Sequence, residues 1–427
     1  MLDIKLVREN PELVKENIKK KFQNEKLKLV DELLKKDSEW RKLKGKLDLL
    51  RAERNKISKA INELKKAGKS ATTELKKAKK IPEEIEKIEA KTKILEEEIR
   101  RILWVLPNIM SKYTPIGKDA SENKEIKKVG TPRVFDFPVK THVELAESLN
   151  IADFLASARV SGAGFYYLKG DLALLNQALI RFAIEKMQKK NYKYIEPPLM
   201  LNEKSIYASA DKEAIEQSVY HIEGEDLHLI GTSEQSLLAM LSDQTIPEEE
   251  LPQKYFSYSM CFRKEVGAHG INEKGLWRTH QFNKVEQFIF CTPEESEKYY
   301  NELLENSEEI LKDLKLPYRV IEICSGDLGD WKHRSADLEV FRPTTKEYGE
   351  VMSLSNCTDY QARRLNIKCI DKKGNKRVLH TLNNTALATS RIMVAILENY
   401  QQKDGSLIIP EVLIPYMQGK KVITKNN

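Results

Sequence analysis

The chain has 427 residues with a formal net charge of +7, and 32% of its residues are charged. This length exceeds one ordinary hydrophobic core, and no apolar run approaches the roughly 20 residues that cross a bilayer, so we expect several domains and no membrane span. The five cysteines show no Cys-x-x-Cys spacing, and no basic and apolar leader precedes Pro11, so we expect a cytoplasmic protein with reduced thiols and no zinc.

The charge is unevenly distributed along the chain. Residues 1–110 contain 30 Lys or Arg and 20 Asp or Glu, a balance of +10, which leaves −3 for the remainder. A positive first segment on a slightly acidic body indicates that residues 1–110 meet a polyanion. Lysine-rich solvated helix faces are also common, so charge alone leaves a nucleic-acid surface and a plain helical surface about equally open.

Two seams of apolar residues predict two long helices near the N-terminus. The seams run over residues 40–64 and 81–106 in alternating steps of three and four. Residues 67–70, which include a glycine, separate the seams as a turn. The two helices should therefore fold back on each other as an antiparallel coiled-coil arm over about residues 38–106, with a kink or a restart at Pro82.

This arm is expected to give reach rather than catalysis. At about 1.5 Å per residue, helices of roughly 28 residues project on the order of 40 Å. A two-stranded hairpin buries little surface, and a long basic arm is suited to contacting distant parts of a large substrate. The alternative is a dimerisation coiled coil, which is less favoured because the turn closes the two seams within one chain.

The rest of the chain predicts an α+β body. Residues 111–140 form a connector punctuated by lysine, glycine and proline, and helix-like and strand-like segments then alternate in mixed order. Residues 171–188 are typical of an amphipathic helix, and residues 192–200 of a strand that Pro197 and Pro198 interrupt.

Charged residues alternate within two apolar, strand-like runs at residues 255–263 and 281–291. Tyr, Phe, Val and Ile at period-two spacing predict an antiparallel hairpin with a long, glycine-containing loop. Because alternate side chains of a strand share a face, a cation, carboxylate and aromatic cluster can form there. The alternative is a solvated face with salt-bridged charges. The side chains concerned are Arg263, Glu265, Phe282, Lys284 and Glu286.

These runs resemble a known motif. Phe262-Arg263-x-Glu265, then Arg278, then Phe282-x-x-x-Glu286 resembles the second signature motif of class II aminoacyl-tRNA synthetases. Over residues 1–418 the chain resembles the seryl-tRNA synthetases of the standard type. That wider resemblance is carried by Met1 to Pro11, Gly231-Thr-Ser-Glu234, Gly349 to Arg364 and Leu382 to Arg391.

The resemblance implies a domain plan and partners. It implies an N-terminal tRNA-binding domain at residues 1–110, a connector at 111–140, and a catalytic domain at 141–427 built on an antiparallel sheet flanked by helices. The arm would lie along the variable arm and elbow of tRNA(Ser), with tRNA(Sec) open as a second acceptor. Residues 171–200 correspond to the first class II motif, which implies a homodimer, although Asn191 stands where the family usually has glycine.

The implied chemistry is ATP-dependent activation of L-serine. The serine carboxylate attacks the α-phosphorus of ATP, pyrophosphate leaves, and the 3′-terminal adenosine hydroxyl of the tRNA then attacks the seryl-adenylate. No protein nucleophile is required, so the site must supply cations, including Mg²⁺, that neutralise phosphate charge.

By the same resemblance, Arg263 would bind the α-phosphate and the substrate carbonyl, and Arg278 the terminal phosphates. Phe282 and Arg391 would sandwich adenine. The strand preceding Arg391 is rich in small residues, which let a ligand approach, and this favours an ATP contact over a surface role. Glu350 and Ser353 occupy the family's Mg²⁺ positions. The residues implied for ATP are Arg263, Glu265, Arg278, Phe282, Glu350, Ser353 and Arg391, with Arg263 and Arg391 catalytic.

Serine selection needs hydrogen-bonding groups aimed at the hydroxyl, because such groups are left unpaired when alanine binds. Glu286 and Thr385 are the favoured hydroxyl partners. The residues at the family's serine-pocket positions are Thr232, Glu234, Arg263, Glu286, Asn383 and Thr385.

Other interpretations stay open at this point. An amino acid:carrier protein ligase would share the catalytic body, but its relatives lack the long arm. A non-catalytic RNA-binding or coiled-coil protein is disfavoured by the retained motif residues, and a zinc-dependent seryl enzyme by the missing cysteine site. His269 and His280 lack a second ligand at metal spacing, and for His280 a structural role is favoured over proton transfer.

Overall fold

The chain folds into two units, which are described separately. The computed structural model describes residues 1–265 and 274–425. One unit spans Met1–Pro107 and the other Asn108–Asn427. Among the described helices, none is long and apolar enough to cross a bilayer.

The N-terminal unit is helical. It contains α1 (Ile4–Glu9), α2 (Pro11–Lys20), α3 (Leu27–Lys66) and α4 (Thr72–Val105). The long helices α3 and α4 pack on a buried seam of Leu47, Ile81, Ile85 and Ile88. Gly68 lies in the turn between them with φ +66°, a conformation that glycine adopts without a Cβ penalty. The predicted antiparallel hairpin is confirmed, and both of its helices are longer than expected.

Ion pairs cross between the two long helices. Lys46 Nζ lies 2.6 Å from a carboxylate oxygen of Glu84, and Arg51 Nη2 lies 2.7 Å from one of Glu89. All four side chains are exposed, so each pair contributes only about 0–1 kcal/mol. The apolar seam therefore dominates the stability of the hairpin.

The expected restart at Pro82 is wrong. Helix α4 begins at Thr72 and runs through Pro82 without a break. Proline removes one backbone hydrogen bond from a helix interior. The buried residues Ile81 and Ile85 lie on either side of it, and their packing against α3 holds the helix together at that position.

The second unit is an α+β body built on a mainly antiparallel sheet, as predicted. Its helices are α5 (His142–Ser148), α6 (Phe154–Ser161), α7 (Gly170–Lys189), α8 (Glu203–Tyr207), α9 (Lys212–Ser218), α10 (Ser233–Ala239), α11 (Ser296–Asp313), α12 (Tyr360–Arg364) and α13 (Thr389–Tyr400). Its strands are β1 (Lys124–Val129), β2 (Ala152–Asp153), β3 (Tyr167–Leu168), β4 (Lys193–Ile195), β5 (Met200–Leu201), β6 (His228–Leu229), β7 (Thr245–Pro247), β8 (Gln253–Phe262), β9 (Gln281–Cys291), β10 (Tyr318–Glu322), β11 (Arg334–Arg342), β12 (Glu347–Thr358), β13 (Lys368–Ile370), β14 (Lys376–Val378), β15 (His380–Ala388), β16 (Leu407–Ile408) and β17 (Val422–Ile423).

Eight strands form the main sheet in the order β1-β10-β11-β12-β15-β9-β8-β4. Only the edge pair β4 and β8 is parallel. Strands β8 and β9 pair antiparallel with Phe262 opposite Gln281, which confirms the predicted hairpin. The middle of its long loop lies outside the described residues.

The strand predicted at residues 192–200 is too long. The structure has β4 at Lys193–Ile195 and the separate β5 from Met200, because Pro197 and Pro198 have no N–H to donate to a sheet. Asn191 before β4 has φ +62°. Asparagine tolerates this left-handed conformation better than most residues, so it can replace the glycine usual in the resembled motif.

The apolar core lies on one face of the main sheet, beneath α7, α11 and α13. Val285 and Ile289 of β9 point into it. Because strand side chains alternate, the neighbouring polar residues of β9 point to the opposite face. Part of that opposite face is covered by apolar residues of α10 and α12 around Phe288 and Phe290, and the rest is open.

Candidate active site

The open face of the sheet carries a cavity of about 610 Å³. Strands β9, β12 and β15 form its floor, and the ends of β8 and α13 reach its rim. All the residues predicted above for ATP and serine line this one cavity: Thr232, Glu234, Arg263, Glu265, Arg278, Phe282, Glu286, Glu350, Ser353, Asn383, Thr385 and Arg391.

Arg263 is held at the end of β8 by three contacts. Its backbone N–H donates to the carbonyl of His280, and its Nε donates to the carbonyl of Gly231 at 3.1 Å. Its guanidinium lies 5.3 Å from the centre of the Phe282 ring, within the range of a cation–π interaction. The guanidinium is therefore fixed beside an aromatic face with its other donors directed into the cavity.

His280 supports this arrangement from behind. Its Nδ1 lies 2.8 Å from the Arg263 carbonyl and 3.0 Å from the Tyr220 hydroxyl. A ring nitrogen that faces a carbonyl oxygen must carry the proton. The prediction of a structural role for His280 agrees with these contacts, whereas His269 lies outside the described residues.

A second cation, Arg278, lies near the mouth of the cavity. Its Nη1 is 3.3 Å from a carboxylate oxygen of Glu265, and its side chain is 35% exposed. Glu265 has φ +49°, so the chain turns sharply after β8. The Glu265 carboxylate contacts a guanidinium that stays partly solvated and is available to an anion.

Arg391 lies in the first turn of α13. Its Nη1 donates to the carbonyl of Glu350 at 2.7 Å and to the carboxylate of the same residue at 3.0 Å. Its guanidinium is also 5.4 Å from the centre of the Trp277 ring. These contacts hold a planar cation at the cavity wall, against the unfavourable helix dipole at that position.

Three oxygen-bearing side chains meet where β11 and β12 pair. Asp337 lies opposite Ser353 in the register of the paired strands. Burial and then the nearby Glu350 raise the pKa of Asp337 to about 7. Burial opposes ionisation of Glu350 too, but the charge and hydrogen bond of Arg391 prevail and lower its pKa.

The donor set fits a magnesium ion. Among the described residues, no cluster of three or more His, Cys, Asp and Glu could hold a metal. Mg²⁺, however, commonly takes one or two carboxylates and completes its shell with phosphates and waters. Glu350 and Ser353 line the cavity, and Oδ1 of Asp337 behind them is buried without a hydrogen-bond partner.

Two carboxylates, the buried Glu286 and the half-buried Glu234, face the inner end of the cavity. Glu286 forms a 2.6 Å ion pair with Lys284, and the hydroxyl of Thr385 lies 3.5 Å from its carboxylate. Glu234 accepts hydrogen bonds from the amides of Asn383 at 3.0 Å and Gln361 at 2.8 Å. Burial, and then the charge of Glu286, raise the pKa of Glu234.

Thr232 positions Glu234 locally. It is the N-cap of α10, and its hydroxyl accepts from the backbone N–H of Glu234 at 3.2 Å. Capping of this kind fixes the first turn of a helix. The carboxylate therefore projects from a defined helix start toward the cavity.

Comparison with known proteins places this geometry in a family. Residues 1–110 match the family described as seryl-tRNA synthetase N-terminal domain, and residues 218–400 match the tRNA synthetase class II core domain (G, H, P, S and T). A serine–tRNA ligase of Methanocella arvoryzae is 48% identical over 98% of this chain and 99% of its own. That of Methanospirillum hungatei is 46% identical over 99% of this chain and 100% of its own. The chain belongs to the seryl-tRNA synthetase family.

Solved structures agree with the membership in the seryl-tRNA synthetase family. The seryl-tRNA synthetase from Pyrococcus horikoshii, complexed with ATP, superposes with a TM-score of 0.94 at 42% identity, over 100% of both chains. The cytoplasmic serine–tRNA ligase from Naegleria fowleri, in complex with AMP, gives 0.89 at 36% identity, over 100% of this chain and 99% of that one.

The seryl-tRNA synthetase match reaches the whole of residues 1–110. That segment includes the hairpin of α3 and α4. Carrier-protein ligases were set apart above by the absence of such an arm, so the match counts against that alternative.

Sequence reasoning missed several residues in and around this cavity. Lys284 was placed on the correct face but given no role, although its spacing from Glu286 was visible. Trp277 and Lys332 also line the cavity, and no local pattern marks them. Asp337 and Gln361 reach the site only through strand pairing and folding, and Gln361 lies inside the stretch that carried the resemblance.

Proposed function

We infer that this protein ligates L-serine to tRNA in two steps, with ATP as the activating substrate. The observation that carries the inference is the family match over the full chain, combined with the convergence of all the resembled motif residues on one cavity. Binding of ATP is supported by the full-length likeness to the ATP-complexed synthetase.

We propose that the cavity separates a nucleotide end from an amino acid end. Arg263 and Arg278 would hold the phosphates, because guanidinium groups bind phosphate oxygens in a planar, bidentate way. Phe282 and Arg391 would bracket the adenine ring. The fixed cations neutralise charge that grows on the α-phosphate as the serine carboxylate attacks, without reorganisation during the step.

The two inner carboxylates suggest complementary roles in serine binding. Glu286 is already paired with Lys284, whereas Glu234 receives hydrogen bonds from neutral amides. The charges of Lys284 and Lys332 reach Glu234, but neither lysine forms a close ion pair with it, so its carboxylate is suited to the serine ammonium group. Glu286 and Thr385 are then left to accept from and donate to the hydroxyl, which alanine lacks. Asn383 and Thr232 hold the Glu234 end of the pocket.

Magnesium is proposed as the metal of the first step. Glu350 and Ser353 would hold it, with Asp337 behind them. When bound, Mg²⁺ screens phosphate charge and orients pyrophosphate as the leaving group. Arg391, through its bond to Glu350, would link the metal end of the site to the adenine end.

Partners and assembly follow from the family as proposals. tRNA(Ser) is the expected acceptor, with the basic hairpin of residues 38–106 as its contact surface, and tRNA(Sec) remains open. A homodimer is proposed from the first class II motif, and a cytoplasmic location from the cysteine spacing, which favours reduced thiols. The mass of the protein in solution, measured by light scattering, would decide the assembly.

The direct test is charging of total tRNA with labelled serine in the presence of ATP and Mg²⁺, with alanine, threonine and cysteine run in parallel. We expect label on tRNA with serine only. Glu286→Ala should lose serine charging and keep ATP binding. Serine-dependent pyrophosphate exchange without charging would instead indicate a carrier-protein acceptor, and the absence of both reactions would contradict the function.

A further inference from the structure

A fully buried polar residue, Gln361, lies behind the amino acid end of the cavity. It stands in the first turn of α12, has 0% of its surface exposed, and is not part of the cavity lining. Burial of an amide is costly unless its hydrogen bonds are made. Its partners therefore show what it stabilises.

The side-chain amide of Gln361 forms hydrogen bonds to three separate parts of the fold. Its Nε2 donates to the carboxylate of Glu234 at 2.8 Å and to the carbonyl of Ser209 at 2.7 Å. Its Oε1 accepts from the hydroxyl of Thr381 at 2.7 Å. Only this orientation of the amide works, because the flipped one would set an oxygen against two acceptors.

The position of α12 is itself fixed. Arg364, at the end of the same helix, donates to the backbone carbonyls of Tyr207, at 3.1 Å, and Ala210. Thr381 belongs to the central strand β15 and is completely buried. The amide of Gln361 is therefore held from the sheet, from α12 and from the segment before α9, and it transmits that rigidity to Glu234.

The two carboxylates differ in the kind of group that donates to them. A neutral N–H stabilises a carboxylate without cancelling its charge, whereas an ammonium partner cancels it. The Glu286 carboxylate has the ammonium partner Lys284. The Glu234 carboxylate receives only amide N–H donors from the side chains that are described around it, Gln361 and Asn383. The negative charge of Glu234 is therefore left for a cationic ligand.

We propose that Gln361 is a positioning residue for amino acid activation, which orients the Glu234 carboxylate and keeps its charge available to the ammonium group of the amino acid. This inference rests on the proposed function and deepens it. Gln361 itself touches no substrate, so it acts through Glu234.

The test compares Gln361→Glu and Gln361→Met with the full-length wild-type protein. Serine KM, ATP KM and kcat are measured by pyrophosphate exchange between pH 6 and 8.5, together with the melting temperature. We expect serine KM to rise about tenfold or more in both variants, since a hydrogen bond to a charged group is lost, while ATP KM changes less than about twofold.

The pH dependence separates positioning from mere packing. In Gln361→Glu, two carboxylates face each other, and such a pair binds one proton more tightly than either group alone. At lower pH that shared proton restores both the hydrogen bond and the original net charge, so the serine defect should shrink. Gln361→Met cannot take up a proton, and its defect should not shrink.

Gln401→Glu is the matched control. Gln401 is also buried, but it lies outside the cavity lining, and its amide bonds the backbone of Lys140 and the carbonyl of Glu398 at the C-terminal end of α13. This variant should lose thermal stability without changing the ratio of serine KM to ATP KM. If Gln361→Glu fails to fold, Thr381→Val removes one anchor of the amide and should raise serine KM about two- to fivefold.

Two results would overturn the inference. One is a folded Gln361→Met or Thr381→Val with unchanged serine KM and kcat. The other is an equal rise of serine KM and ATP KM that parallels the loss of melting temperature. Both require a wild-type protein that is active with serine. A wild-type protein without serine-dependent exchange would instead overturn the proposed function, and the inference with it.

Discussion

At the residue scale, the two carboxylates at the inner end of the cavity lie in different environments. Glu286 has a buried cation beside it, and Glu234 has amides. Burial raises the pKa of Glu234, and the neighbouring Glu286 raises it further. Divergent environments of two acids in one site are a common way of assigning them separate roles.

We expect the difference between the environments of Glu286 and Glu234 to depend on Lys284. Its side chain is 7% exposed and that of Glu286 is 2% exposed, so Lys284→Met leaves a buried carboxylate without its cation. Loss of one partner of a buried pair costs about 3–5 kcal/mol. We expect a lower melting temperature and a larger rise in serine KM than in ATP KM, measured by calorimetry and by pyrophosphate exchange.

The double variant Lys284→Met, Glu286→Met is the control for this prediction. Removing both charges should restore much of the stability, because no unpaired charge remains buried. It should not restore serine activation, since the hydroxyl partner is gone. A stable Lys284→Met with wild-type serine KM would show that the ion pair is dispensable.

Glu350 should set the magnesium requirement. Glu350→Gln keeps the shape of the side chain and its carbonyl bond to Arg391, but removes a charged oxygen ligand. We expect the Mg²⁺ concentration for half-maximal pyrophosphate exchange to rise about tenfold or more. Direct ATP binding without Mg²⁺ should change much less; an equal loss of both would mean that Glu350 acts only through Arg391.

At the scale of elements, the β8–β9 hairpin organises the site. Its register pairs Cys261 with Phe282 and Ser257 with Glu286, which puts the Phe282 ring and the Glu286 carboxylate on the same face. Because side chains alternate with period two, a slip of one residue would turn all of them into the core. The apolar residues Val285 and Ile289 make that slip costly, since they are fully buried on the other face.

Element boundaries depended on packing. Helix α4 continues through Pro82 because α3 supports both sides of it. The proline favours a break at that position, and burial of the flanking Ile81 and Ile85 prevails.

At the scale of the whole molecule, the two units differ in the sign of their net charge. The first 110 residues hold the excess of positive charge, and the cavity lies in the second unit. Serine activation needs only the cavity, whereas charging needs a large polyanion to be held as well. The two activities should therefore be separable.

Deletion of residues 38–104, closed by a short turn, tests this separation. We expect serine-dependent pyrophosphate exchange near the wild-type rate and a loss of tRNA charging of at least about a hundredfold. Pyrophosphate exchange is also the control for folding of the shortened protein. Charging by wild type should fall steeply with salt, as expected when basic residues release counterions from RNA. Equal charging by the shortened protein would contradict a tRNA role for the arm.

The sequence by itself determined the architecture and the family. The two apolar seams, the period-two strands and the short motifs are local patterns, and each motif residue was assigned by its position in such a pattern. These patterns are readable because a helix or strand repeats its buried face every few residues.

Only the tertiary structure decided how the motif residues are supported. The bond between Gln361 and Glu234 joins positions 127 residues apart, and Asp337 meets Ser353 across paired strands. The closeness of Glu286 to Lys284 was visible, but not that both are buried as a pair. Burial and long-range contact arise when separate elements pack together, and no local repeat records them.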